Sequence, residues 1–165
     1  MNKVERLDYL LQLAQADNVE NHFNGSEWQQ EHARLVNTFL SDHKAMGDIE
    51  LSALVYGLNS DLQVRDYALG LLKPEQLSAY THLLNWTPPS KWQSATACLI
   101  SQIQYEIGDR DEAIKTIAIA RPQYPLAKLL RRVYIAGWNP QQFVDMREQL
   151  HPQVVAVIFG DGEAA

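Results

Sequence analysis

The 165-residue sequence lacks most of the features on which active sites are commonly built. Its one cysteine, Cys98, excludes an intrachain disulfide and a cysteine-rich zinc centre. The eight glycines are dispersed, with neither GxxxxGK nor GxGxxG, so no phosphate-cradling loop of those kinds is present. A GxSxG elbow is also missing. Long hydrophobic runs are absent too. Leu51 to Leu58 is broken by Ser52 and Gly57, and Val154 to Phe159 falls far short of the roughly 20 residues a membrane span needs. The first eight residues alternate charge and contain no apolar signal region, which predicts a soluble, cytoplasmic chain with no membrane partner.

What the chain does have is globular composition, 46% hydrophobic and 21% charged, in a length suited to one domain with one core. It also has regularly placed helix signals. Val4, Leu7, Leu11 and Ala14 repeat at helical spacing, which predicts an amphipathic helix over residues 2–16. Ser26 with Gln29 has capping-box spacing and opens a helix to about His43 that buries Trp28, Leu35, Val36, Phe39 and Leu40. Gly47-Asp48 is a stop followed by a cap, and Ser60 with Gln63 caps the next helix. Pro74 suits a first turn, Pro88-Pro89 ends that helix, and Ser90 with Gln93 opens another. Gly108 stops the chain and Asp109 with Glu112 restarts it; Pro122 and Pro125 bracket a break. Asn139-Pro140 and His151-Pro152 mark two further starts, Gly160 a stop, and Asp161 to Ala165 a frayed tail. With no confident strand pattern, the expectation is an all-α fold of about nine short antiparallel helices. It forms a single domain over 1–165, with a joint between helical layers at 87–90.

Residues 97–125 resemble one tetratricopeptide-type repeat: Gly108 to Ile114 match its turn and second-helix start. Ala113, Ala120 and Pro125 follow at its spacing, although Ala97 and Gln104 replace its usual tryptophan and tyrosine. The resemblance implies a helical hairpin and not a peptide-binding superhelix. A wider likeness runs from Leu51 to Phe143 through Val64-Arg65-Asp66, Asn85 to Pro89, Ala95 to Asp109, Tyr124 to Leu130 and Ala136 to Pro140. In this order the motifs resemble the C-terminal half of an actinobacterial family, the domain of unknown function 4192. Members of that family are longer, with an additional N-terminal region for which this chain has no room. The resemblance implies an all-α fold and no reaction, cofactor or partner.

Charge is unevenly spread. The net −6 lies wholly in the part through Ser90, while Ala113 to Arg147 holds six basic residues against Asp145 alone. Lys128, Arg131 and Arg132 stand at i, i+3 and i+4 and share a helical face, with Leu126, Leu129, Leu130 and Val133 expected opposite. The stripe reads either as a contact for an acidic partner or as a solvated face, and the excess is too small to support direct nucleic-acid binding. Arg65-Asp66 reads either as an anion clamp or as a pin on a helix end or neighbouring loop.

The histidines are His22, His32, His43, His82 and His151. Glu27, Glu31, His32 and His43 are the set a bundle would have to gather around a metal, yet they offer no HxxxH, HExxH or ExxH pair, so no metal site is expected. Cys98 reads as a core thiol, and Trp28, Trp86, Trp92 and Trp138 as packing residues. The leading expectation is a non-catalytic, cofactor-free interaction module that uses Arg131 and Arg132 against another protein or a like subunit. A phage or mobile-element factor is the alternative, in which Asp8, Asp17, Glu20, Glu27 and Glu31 mimic phosphates to occlude a host nucleic-acid-binding protein. An enzyme with a dispersed site around Arg65, Asp66 and His82 is the third reading.

Overall fold

A computed structural model describes residues 5, 7–13 and 25–160. Among them are nine helices and no strand, a compact all-α fold. The helices are α1 (described over 7–13), α2 (Gly25–Asp42), α3 (Asp48–Ser60), α4 (Leu62–Gly70), α5 (Leu77–Trp86), α6 (Ser94–Glu106), α7 (Arg110–Ile117), α8 (Pro125–Ala136) and α9 (Pro140–Phe159). Short 3-10 turns at His43–Ala45, Pro74–Gln76 and Lys91–Gln93 join them. The first predicted helix is met only in part: Leu7, Leu10 and Leu11 are buried, while Val4, Ala14, the Ser26 side chain and the predicted tail lie outside the described residues.

Helix α6 organises the core. Eleven of its thirteen residues are buried, so it is enclosed on all sides. Its small residues Ser94, Ala95, Ala97 and Ser101 let neighbouring helices approach closely. Ala95, Leu99, Ile100 and Ile103 belong to one apolar cluster, shared with α1–α5 and the end of α9. Ala97, Cys98 and Tyr105 belong to a second, shared with α7, α8 and Phe143.

Several helix ends follow the predicted punctuation. Asp109 caps α7 by accepting from the Glu112 amide, and Asn139 caps α9 by accepting from that of Gln141. Gly137 ends α8 in the left-handed region, φ 68°, which a residue without Cβ adopts at little cost. Three expectations need correction. The cap of α4 is Asp61, whose carboxylate takes the Gln63 and Val64 amides; Ser60 is the last residue of α3 and donates back to the Tyr56 carbonyl. A carboxylate at the N-cap, held from α2 by Gln29 Nε2 at 3.1 Å, wins over a hydroxyl already used one turn back. Asp48 lies inside α3, with Gly47 at the cap, and its carboxylate accepts from Trp86 Nε1 at 3.0 Å. Finally, His151-Pro152 starts no helix, because α9 runs unbroken through Pro152. Pro152 is exposed, so the carbonyl that loses its partner one turn back can be solvated, while Val154, Val155, Ile158 and Phe159 hold the last turns against the core.

Candidate functional site

The basic stripe on α8 divides into two parts. The Arg131 guanidinium donates to the carbonyls of Ile117 at 2.9 Å and Ala120 at 3.1 Å, with a long contact to that of Pro122. It thus ties down the end of α7, as a cation near a helix C-terminus does. Lys128 and Arg132 are exposed, and their side chains make no hydrogen bond or ion pair among the described residues. Elsewhere in the basic segment Lys115 pairs with Glu112, and just before it Arg110 donates to the Tyr134 and Ile135 carbonyls at the end of α8.

Arg147, counted by sequence among the six cations of the basic segment, is 6% exposed and forms a two-pronged ion pair with Glu106 at 2.6 and 2.9 Å. It also donates to the Gly70 and Leu72 carbonyls, so one side chain joins α9, α6 and the end of α4. Gln102 donates to Glu106 and accepts from the Tyr134 hydroxyl, which shares a hydrogen bond with Ser101. Every charge in this network is paired, which suits an architectural role. A usable signal for it was present: Arg147 falls four residues after Phe143 on the inward face of α9.

Arg65 and Asp66 interact with each other although adjacent in sequence. Arg65 Nε and Nη2 donate to one Asp66 oxygen at 3.2 and 3.0 Å. The Arg65 guanidinium also lies 5.8 Å from the centre of the Tyr124 ring. Burial works against its charge, but Tyr124 and Asp66 outweigh burial and hold its pKa above the ordinary value. This geometry pins the loop entering α8. His82 is not brought to it; its ring lies 5.3 Å from that of His43.

No group of three or more His, Cys, Asp or Glu positioned for a metal occurs among the described residues, although Glu148 and His151 have Glu-x-x-His spacing. His32 is buried on Trp28, ring centres 3.8 Å apart. Burial pushes the Cys98 thiol up to about 12, far from a thiolate at neutral pH. Of the acidic residues proposed as phosphate mimics, Asp8, Glu27 and Glu31 are exposed, and Asp17 and Glu20 lie outside the described residues. No helix among the described residues is long and apolar enough to cross a membrane.

A feature that sequence reasoning missed is a groove of about 350 Å³ bounded by α4, α8 and α9. Leu69, Gly70, Leu126 and Phe143 line its floor, with Met146, Leu150 and Val157 along one wall and Leu129 facing it from α8. These last four are 38%, 47%, 57% and 48% exposed, so apolar side chains face solvent along the groove, with Gln153 between Leu150 and Val157. Leu129, expected on the core side, is on this surface instead. Met146, Leu150 and Val157 stand at i, i+4 and i+11, one face of α9 and roughly 16 Å of it. Arg132 follows Leu129 at i+3 and Lys128 stands one turn before Arg132, so the two exposed cations lie beside Leu129 on α8, outside the residues that line the groove. The charges within the groove, Asp66 and Arg147, are both ion-paired. Comparison of the chain with protein-family models, curated proteins and solved structures finds no match.

Proposed function

We propose that this chain is a non-catalytic interaction module that holds an amphipathic helix of another protein in the groove between α4, α8 and α9. The observation that carries the reading is the exposed stripe of Met146, Leu150 and Val157 opposite Leu129, three turns long and unneeded by either core cluster. Apolar anchors at helical spacing along such a groove are the usual form of helix recognition. The partner helix carries acidic residues on the flank beside α8, where Lys128 and Arg132 have no acid of their own. Arg132 and Lys128 are therefore the proposed contacts, and Arg131 serves the fold. Burying three or four such side chains, less the cost of association, supports affinity of about micromolar order.

The relationship to the C-terminal half of the actinobacterial family of unknown function and the tetratricopeptide-like character of the α6–α7 hairpin belong to this proposal. The hairpin reading is supported by buried Ala113 and Ala120. So does a cytoplasmic setting, which the unpaired Cys98 thiol suits.

The test uses two labelled helical peptides with identical leucine stripes, one flanked by glutamate and the other by lysine. Wild type should bind the glutamate peptide, Leu150→Glu should bind neither, and Arg132→Glu should reverse the preference, as fluorescence anisotropy reads. Failure of wild type to bind either peptide would remove the proposal. A dimer by light scattering that Leu150→Glu dissolves would replace the foreign helix with a second copy of the chain.

A further inference from the structure

A separate cavity of about 470 Å³ opens where α3, the 3-10 turn before α6 and the loop entering α8 meet. It lies within the range of about 300–1,000 Å³ typical of small-molecule sites. Its aromatic side chains are Tyr56, Trp92 and Tyr124, and its charged ones are Lys91 and Arg121. No acidic residue among the described ones lines it, in a chain of net charge −6. Lys91 and Arg121 are both exposed and have no acidic partner among the described residues.

The walls are tied together by hydrogen bonds. Asn59 of α3 donates to the Val55 and Trp92 carbonyls at 2.8 and 2.9 Å and accepts from the Ala95 amide at 3.0 Å. The Arg121 amide donates to Ser94 Oγ at 3.0 Å, joining the α7–α8 loop to the start of α6. The Trp92 ring lies 5.5 Å from that of Tyr56, with the Lys91 ammonium 4.9 Å from the Trp92 ring centre. A planar ring can stack on this aromatic wall while an anion carried by it meets Lys91 and Arg121.

We infer that this cavity binds a phosphate carried on an aromatic ring, with the ring against Trp92 and the phosphate between Lys91 and Arg121. Two sources share that chemistry, a free aryl phosphate and a phosphotyrosine side chain. The probes are phenyl phosphate, inorganic phosphate, phenol and a phosphotyrosyl tripeptide, followed by calorimetry and by the Trp92 indole resonance. Phenyl phosphate should bind saturably and shift that resonance, with phenol and inorganic phosphate at least about tenfold weaker. The Lys91→Gln/Arg121→Gln variant should weaken binding by about tenfold or more, and added salt should weaken it in wild type. Both residues are exposed, so the variant is expected to fold, which circular dichroism checks. The tripeptide binding more tightly than phenyl phosphate would place the natural ligand on a protein, and equal binding would favour a free compound. Absence of saturable binding to wild type, undiminished binding by the variant, or inorganic phosphate binding as tightly as phenyl phosphate would overturn the inference.

Discussion

Gly57 shows how much one hydrogen atom can decide in this fold. A Cβ there would stand 2.7 Å from His32 Cδ2 and 3.3 Å from Cγ. The His32 ring cannot easily give way: it is buried, stacked on Trp28, and its Nδ1 is 2.9 Å from the Trp28 carbonyl. Alanine is the better helix former by about 1 kcal/mol, but forcing volume into a packed site costs about 1–3 kcal/mol. Gly57→Ala is therefore expected to lower stability by about 1 kcal/mol, read as a lower urea midpoint at unchanged slope. A raised midpoint would show that the ring moves freely. In the sequence Gly57 registers only as an interruption of an apolar run, because nothing local reveals a partner twenty-five residues away. The caps Asp109 and Asn139 were legible because a cap and the amides it serves lie within three residues of each other. Asp61 was not separated from Ser60, since both are good cap residues and the choice depends on where α3 ends. Arg147 was legible as a cation, and its place four residues after Phe143 was the one local sign of its burial, but its partner Glu106 lies on another helix.

At the scale of elements, α8 and α9 carry the functional reading and were the hardest to read. The periodicity of α8 places Lys128, Arg131 and Arg132 together, yet Arg131 turns to the end of α7 while Arg132 stays exposed. Stability should separate the two. Arg131→Ala leaves the Ile117 and Ala120 carbonyls without their charged donor and is expected to cost about 1–2 kcal/mol. Arg132→Ala touches no such feature and should stay within about 0.5 kcal/mol of wild type. Thermal denaturation of both variants checks this, and equal losses would contradict the division. Proline at 152 reads as a helix start, and dividing α9 there separates Met146 and Leu150 from Val157. The exposed stripe emerges only when the helix is continuous, so one misplaced boundary concealed the groove.

At the scale of the whole molecule, α6 belongs to both core clusters, and the Arg147–Glu106 pair ties α9 to it and to the end of α4. His151 lies next to this junction, its ring against Gly70 and 5.3 Å from that of Tyr67, and its Nδ1 has no hydrogen-bond partner among the described residues. Burial, then the Arg147 charge, lowers its pKa below the ordinary 6.5. His43 is lowered in the same direction by burial, then by His82 and Lys44, with Asp42 opposing. A histidine whose folded pKa lies below its unfolded one binds fewer protons folded than unfolded between the two values. Its contribution is thus fully present above pH 6.5 and is lost as the pH falls from there toward the folded pKa. The melting temperature should therefore hold steady above about pH 7 and decline toward pH 5, before carboxylate protonation dominates. A His43→Asn/His151→Asn variant should show a flatter profile over that interval, whatever its stability at neutral pH. Because the readout is the slope, packing lost with the rings does not confound it. A wild-type profile that is flat to pH 5, or a variant with an unchanged slope, would mean that neither imidazole is held neutral by the fold.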